Sequence, residues 1–214
     1  MKALAQRTMQ EGIAHHLKNP VRVYSEDELQ RRRIAKTRAM VDKAMIFAAN
    51  AERRQFPRRI FEIGCGTADI SGYLANTIAG WHAYGIDCHG TSLLEATLRY
   101  SPHFTPIHLG ISPILAGPPI EVVILSEVLE HLNDAHEVAT SWLKRAYTSV
   151  ISHPLEEPDG STLSGGDHVW SFTREDHEKF FETGGHAIDE TEIFQMGAYS
   201  IILSRGHGKV ETNS

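Results

Sequence analysis

The sequence predicts an α/β fold: a Rossmann-like, doubly wound, mostly parallel sheet of seven strands with an antiparallel last strand, preceded by an N-terminal helical extension. Three observations predict it. From Arg59 onward, short apolar runs alternate with helical patterns, which is typical of strands joined by crossover helices. A glycine-rich turn, "GCG", follows the first run. The last two runs are separated only by Gly197 and Ala198, a gap that fits an antiparallel hairpin.

The strands are expected where short apolar runs end in polar or glycine residues. They are placed at 59–63, 82–86, 104–108, 121–125, 147–152, 191–196 and 199–204. Helices are expected where apolar residues recur three or four positions apart. They are placed near 68–79, 91–100, 134–144 and 173–183, and the last of these is capped by Thr173 with Asp176.

The N-terminal extension is predicted to be helical. Ser25 and Glu28 fit a capping box, and the apolar residues that follow at helical spacing extend a helix over about 26–50. A second, shorter helix is expected around 2–17. Residues 1–24, whose periodicity is weaker, are expected to form a lid, and the Gly- and Ser-rich stretch 156–167 is too polar for a core and is expected to close over the site.

Length and composition favour one globular domain. The chain has 214 residues, of which 41% are hydrophobic and 22% charged. We divide it into a helical extension or lid (1–55), a ligand-binding domain (56–206) and a tail (207–214). Two cysteines cannot build a disulfide framework, and no apolar stretch is long enough for a signal peptide or a membrane span. A soluble, cytoplasmic protein that does not contact membranes is expected.

Charge is distributed unevenly along the chain. Residues 1–60 hold 14 Lys plus Arg against 6 Asp plus Glu, whereas the remainder holds 7 against 21. One interpretation is a basic helix lying against an acidic body. The other is a polyanionic substrate drawn to the basic segment, in which case the run RRR at 31–33 would matter.

The turn after the first strand predicts a nucleoside pocket. Gly64 and Gly66 let the backbone approach a ligand closely, and the next helix begins at the same point. Asp87, at the end of the second strand, is placed to accept hydrogen bonds from both ribose hydroxyls. The third glycine of a dinucleotide motif is missing, and Glu62 would repel a phosphate but favour an ammonium group. A nucleoside joined to an amino-acid zwitterion fits best.

These segments resemble those of class I S-adenosylmethionine-dependent methyltransferases. "FEIGCGTAD" resembles the first motif of the family, "YGIDCHG" the second, and "VVILSEVLEHLNDA" the region after the fourth strand. The resemblance runs over 58–204. It departs from the family at Ala68, where many members carry a third glycine, and at "IHLGIS", which lacks the common adenine-binding Asp.

The resemblance implies S-adenosylmethionine as cofactor and assigns its contacts by region. The methionine moiety would be bound by Glu62, Gly64 and Gly66, with Cys65 between the two glycines. The ribose would be bound by Asp87, and the adenine by Cys88, Gly110 and Ile111. The transferable methyl group would lie beside Ser126. The thiols of Cys65 and Cys88 are read as small buried hydrophobic groups with no metal or redox role.

Acidic residues and histidines after the fourth and fifth strands are the candidates for acid–base catalysis. The stretch "SEVLEHL" would place Glu127, Glu130 and His131 on one face of a helical turn. His153 lies just past a strand end, where ligands of open α/β sheets usually bind, and His168 follows in "DHVW". We name His153, His168, Glu127 and His131 as candidate catalytic residues.

The same residues allow three interpretations. Glu127, Glu130, His131 and His168 resemble the metal site of bacterial and plant small-RNA 3′-terminal 2′-O-methyltransferases. The segment also fits a helix capped at the surface, or a group of residues that contacts substrate directly. The run before His168 lacks the basic, histidine-rich character of the RNA enzymes, so we assign no metal ligand from the sequence.

Three functions are therefore considered. The favoured one is a methyltransferase acting on an oxygen or nitrogen of a small or medium polar acceptor. The second is a metal-assisted RNA 3′-terminal ribose 2′-O-methyltransferase, for which a nucleic acid is the partner. The third is a non-catalytic binding module, which would have no need of Glu62, Gly64, Gly66 and Asp87 together. The sequence identifies neither the acceptor nor an oligomeric state.

Overall fold

The computed structural model describes residues 2–3, 28–51, 58–114, 119–155, 168–194 and 199–206. They form a seven-stranded sheet with helices on both faces and a short two-stranded ribbon. In chain order the strands are β1 Lys2–Ala3, β2 Arg58–Ile63, β3 Trp81–Asp87, β4 Phe104–His108, β5 Ile120–Ser126, β6 Ala146–Pro154, β7 Trp170–Ser171, β8 His186–Phe194 and β9 Tyr199–Gly206. The helices are α1 Glu28–Asn50, α2 Ser71–Thr77, α3 Gly90–Tyr100, α4 Ala135–Leu143 and α5 Arg174–Gly184.

The large sheet has the strand order β4-β3-β2-β5-β6-β9-β8. Every pairing from β4 to β6 is parallel, and β9 runs antiparallel to both of its neighbours. The predicted fold class is confirmed, including the reversed last strand. The strand order changes direction beside β2, so the carboxyl ends of β2 and β5 flank the crevice in which open α/β sheets bind ligands.

Two hydrophobic clusters, one on each face of the sheet, form the core. One contains side chains of α1, α2 and α3, and the other contains side chains of α4 and α5. Helix α1 packs against β5, β6 and β9, and Met40, Val41 and Ala44 on it are buried. The predicted helix over 26–50 is thus present from Glu28 and lies in the core of the fold.

The N-terminal helix predicted around 2–17 is wrong where the structure describes it. Lys2 and Ala3 form β1, which pairs antiparallel with β7 through Lys2 opposite Ser171 and Ala3 opposite Trp170. Pairing with a distant strand has overridden a weak local helical pattern. The rest of that segment, and the covering stretch 156–167, lie outside the described residues.

Strand β8 begins at His186, five residues before the predicted start. Helix α5 ends at Gly184, and its C-cap residue Gly185, with a left-handed φ of 72°, turns the chain directly into the strand. The added residues, "HAIDE", are largely polar because β8 is the edge of the sheet, where charged side chains reach water. Apolar periodicity therefore does not mark this part of the strand.

The basic face of α1 meets the acidic edge strand. Lys43 Nζ lies 2.6 Å from Glu190 Oε1, and Lys36 pairs with Glu192. For these lysines the structure supports the interpretation of a basic helix lying against an acidic body. None of the helices in the described ranges is both long and apolar enough to cross a membrane.

Candidate functional site

The turn after β2 carries three residues in the left-handed conformation. Gly64, Gly66 and Ala68 have φ values of 69°, 51° and 54°. Ala68 is thus left-handed although it is not a glycine, and its methyl group is fully buried in the hydrophobic cluster that includes side chains of α1, α2 and α3. The Gly64 amide donates to the carbonyl of Ile86 at 2.8 Å, which holds the turn against the end of β3.

Asp87, the last residue of β3, ties two loops together. Its Oδ2 accepts a hydrogen bond from the Gly66 amide at 2.8 Å, and its Oδ1 accepts one from the His89 amide, also at 2.8 Å. A carboxylate has about four acceptor positions, so roughly two remain for other donors. The side chain is held rigidly at the crevice with acceptor capacity to spare.

Glu62 is a buried carboxyl group in β2. It is 3% exposed, and its Oε2 accepts a hydrogen bond from the Ser71 amide at 3.0 Å, at the start of α2. Burial raises the pKa of Glu62 to about 7, against smaller lowering effects of Ser71 and of the charge of Arg33. The group therefore changes charge near neutral pH, and a cation beside it would favour the ionised form.

The other residues predicted to contact the cofactor differ in position: some lie in the core and others at the crevice. Cys65 is buried against Gly85 in the core, and burial raises the pKa of its thiol. Cys88 is half-buried directly after Asp87. Gly110 is exposed with open space where a Cβ would lie, whereas Ile111 approaches Gly64. Ile111 and Gly64 therefore lie side by side at the crevice. The Cys65 side chain lies in the core and does not face the crevice.

The carboxyl end of β5 holds a polar network. Ser126 Oγ lies 2.8 Å from Ser152 Oγ, and the Glu127 amide donates to the Ser152 carbonyl at 2.8 Å. Glu127 has a left-handed φ of 53°, a strained backbone for a non-glycine residue. Arg33 reaches this network from α1, its Nη1 donating to Ser126 Oγ at 2.9 Å.

Sequence reasoning missed Arg33 as an individual site residue, although a signal was present. Arg33 stands four positions before Thr37 and eight before Val41, which are both fully buried, so it lies on the buried face of α1. Its neighbours Arg31 and Arg32 are exposed. Only the third arginine of the run thus reaches the site.

Glu130, His131 and His168 converge beside this network. Glu130 and His131 belong to a single 3₁₀ turn, Leu129–His131, rather than to the helical turn that was predicted to begin at Glu127. The Val169 amide donates to the Glu130 carbonyl at 2.7 Å, which brings His168 to His131 with ring centroids 4.8 Å apart. One potential ligand atom from each of the three residues lies within 4.8 Å of the others.

This cluster is not a surface-capped helix. Glu130 is 0% exposed, and His131 and His168 are half-buried. One carboxylate and two imidazoles form a donor set suited to a divalent first-row transition metal. Ligands of one ion stand roughly 3–4 Å apart, so side-chain adjustments of about 1 Å would close the set. The residues therefore fit a metal ion.

His153 is not a member of that cluster and lies on the core side of β6. It is 0% exposed, and its ring packs edge-on against Phe172 and His177 at centroid distances of 4.6 and 4.3 Å. Burial lowers the pKa of His153 to about 4 and also lowers that of His177. Both rings are therefore neutral at physiological pH. A catalytic role for His153 remains a prediction, as do the other assignments of individual site residues.

Comparison of the sequence with protein-family models gives no match, and comparison with curated proteins gives none either. Solved structures do match. Magnesium protoporphyrin IX methyltransferase from Synechocystis PCC 6803, with bound SAH, is 16% identical, with a TM-score of 0.63 over 93% of this chain and 95% of that one. The N-methyltransferase NodS from Bradyrhizobium japonicum WM9, in complex with S-adenosyl-L-homocysteine, is 14% identical, with a TM-score of 0.69 over 94% and 100%.

A third match has a different acceptor atom. The CurJ carbon methyltransferase is 14% identical, with a TM-score of 0.64 over 81% of this chain and 55% of that one. At these identities the likeness is one of fold. It confirms, at that level, the resemblance found in the sequence, while the neighbours' differing acceptors leave the acceptor of this chain open.

Proposed function

We propose that this chain, whose fold is that of class I S-adenosylmethionine-dependent methyltransferases, is itself an S-adenosylmethionine-dependent methyltransferase. The observation that carries the proposal is the Asp87 carboxylate, held by the Gly66 and His89 amides at the mouth of the left-handed turn. A nucleoside with an amino-acid tail has groups that complement this site. Its ribose hydroxyls suit the Asp87 carboxylate, its tail suits the glycine backbone of the turn, and its ammonium group suits Glu62. The methyl acceptor is an oxygen or nitrogen of a polar small molecule.

Each part of the pocket would have a distinct task. Asp87 would accept hydrogen bonds from the ribose hydroxyls, and Gly64 and Gly66 would admit the methionine moiety against the backbone. Glu62 would face the ammonium group. Because a sulfonium is a good leaving group, the protein then has to hold the acceptor in line with the methyl group, exclude water and, for a hydroxyl acceptor, take up a proton.

A second candidate function is favoured by the cluster of Glu130, His131 and His168. These residues would hold a divalent metal ion beside the carboxyl end of β5. When bound, such an ion would polarise an acceptor hydroxyl and lower its pKa. The acceptor would then be a vicinal diol, such as the 3′-terminal ribose of an RNA, and the product a 2′-O-methyl ether.

Calorimetric titration tests the main proposal. The protein is expected to bind S-adenosylmethionine and S-adenosylhomocysteine and not NAD, because Glu62 disfavours a pyrophosphate. Asp87→Asn is expected to weaken both ligands about 100-fold, since charge-assisted hydrogen bonds contribute roughly 1.5–3 kcal/mol each. Asp189→Asn is the matched control, because Asp189 pairs with Arg205 at the edge strand. Absence of binding by the unaltered protein would refute the proposal.

The pH dependence of binding tests the role of Glu62. Its raised pKa of about 7 means that the carboxyl group is protonated below that pH and ionised above it. Affinity for S-adenosylhomocysteine is therefore expected to rise roughly tenfold from pH 6 to 7.5, as the carboxylate forms opposite the ligand's ammonium group. Titrations at several pH values should show this rise in the unaltered protein and a flat profile in Glu62→Gln. A rise that persists in Glu62→Gln would assign it to another group.

A further inference from the structure

Arg33 is a buried cation at the proposed cofactor site. The residue is 7% exposed, although it is flanked in α1 by the exposed Arg31 and Arg32. Burying a guanidinium is unfavourable unless nearby groups compensate its charge and satisfy its donors. Its presence in the core of the fold therefore calls for partners of matching chemistry.

The described residues satisfy only part of that requirement. Nε donates to Gln30 Oε1 at 2.8 Å, and Nη1 donates to Ser126 Oγ at 2.9 Å and lies 3.9 Å from Glu127 Oε1. A guanidinium has five N–H donors in a planar fork. Nη2 donates no hydrogen bond to any residue in the described ranges. Within the described part of the chain, this arm of the fork is left for another acceptor, such as an anionic ligand.

The surroundings indicate which anion it would take. Glu62 interacts electrostatically with Arg33, whose charge acts against the burial that raises the pKa of Glu62. A carboxylate and a guanidinium thus stand near each other at the carboxyl ends of β2 and β5. An amino-acid head group carries one ammonium and one carboxylate, so this pair of opposite charges complements it in both signs.

We propose that Arg33 binds the α-carboxylate of the methionine moiety of S-adenosylmethionine, while Glu62 faces its ammonium group. The inference rests on the proposed function and names the residue that recognises the amino-acid end. It also gives α1 a role in the ligand site, because the arginine is supplied from outside the motifs that surround the nucleoside. An anionic group of the acceptor is the competing ligand, and the test separates the two.

The test compares two ligands that differ only in that carboxylate. S-adenosylmethionine and decarboxylated S-adenosylmethionine are titrated into the unaltered protein and into the variants Arg33→Gln and Arg31→Gln. Arg31→Gln is the control, because it removes the same charge from an exposed position. The unaltered protein and Arg31→Gln are expected to prefer the carboxylated ligand by about 10-fold to 100-fold. Arg33→Gln should lose that preference and still bind the decarboxylated ligand as the unaltered protein does.

Several results would overturn the inference. If Arg33→Gln kept the full preference, the carboxylate would be assigned to another group and Arg33 would be left for an acceptor anion. Equal weakening of both ligands would indicate a structural role. If the unaltered protein showed no preference for the carboxylated ligand, the contact would be refuted without any variant. Arg33→Lys, which keeps the charge, gives a second test if Arg33→Gln does not fold. Failure of the unaltered protein to bind either ligand would instead refute the proposed function itself.

Discussion

Gly66→Ala is expected to weaken S-adenosylmethionine binding at least 100-fold while the fold remains intact. Apart from its two chain neighbours, no described residue has an atom within 4 Å of a Cβ placed at Gly66, so that Cβ would project into open space beside Asp87 that the ligand is proposed to fill. The cost to the folded protein is the left-handed backbone alone, about 1–2 kcal/mol.

Gly185→Ala is the matched control for that strain. Gly185 also has a left-handed φ and open space around a Cβ, but it caps α5. Both variants are expected to lose the same free energy of unfolding in a denaturant titration, and only Gly66→Ala should lose affinity in calorimetry. If Gly66→Ala bound the ligand as tightly as Gly185→Ala, the ligand would not lie over this turn.

Gly64→Ala should behave differently from both. Its Cβ would stand 2.5 Å from Val128 Cγ2 and 2.9 Å from Val128 Cβ, which no side-chain rotation of alanine can relieve. Steric overlap adds about 1–3 kcal/mol to the backbone strain. The free energy of unfolding should therefore fall clearly further than in Gly66→Ala.

Substitutions in the cluster of Glu130, His131 and His168 are expected to weaken the proposed metal binding and the metal-dependent turnover strongly. Glu130→Gln and His168→Ala each remove one of three converging ligands, which should weaken Mn²⁺ at least 100-fold in calorimetry. Methyl transfer to a short RNA with a free 3′-terminal diol should fall with it. S-adenosylhomocysteine affinity should change less than threefold, because the Asp87 and Glu62 contacts are untouched.

His103→Ala supplies the control, because His103 is exposed after α3 and belongs to no ligand cluster in the described ranges. An RNA already methylated at its terminal 2′ oxygen should not be a substrate. If Mn²⁺ bound equally well to Glu130→Gln and to the unaltered protein, or to neither, the metal-assisted function would be refuted. The main proposal would then stand on a metal-independent acceptor.

Much of the fold could be predicted from local patterns. Buried parallel strands are short, almost continuously apolar runs, and β5, which is buried throughout, lies within one residue at each end of its predicted range. Helix α5 was marked by the Thr173–Asp176 capping box that the structure contains. Edge strands lack this signal, since one side faces water, and the start of β8 was missed for that reason.

The candidate site was only partly predictable, because its residues differ in what determines their position. Glu62, Gly64 and Asp87 are adjacent to strand ends, so chain connectivity alone brings them to one edge of a parallel sheet. Arg33 and Glu130 are different. Whether a charged side chain of a helix or turn is buried depends on what packs over it, and such contacts join residues far apart in the chain.

The sequence by itself determined the α/β class, the glycine turn and the carboxylate at the end of β3, because each follows from short-range periodicity, backbone freedom or strand order. Only the tertiary structure decided that Arg33 reaches Ser126, that His168 meets Glu130 and His131, and that His153 packs in the core. These outcomes depend on packing between distant segments. Burial then alters the chemistry of the residues involved, as the raised pKa of Glu62 and the lowered pKa of His153 show.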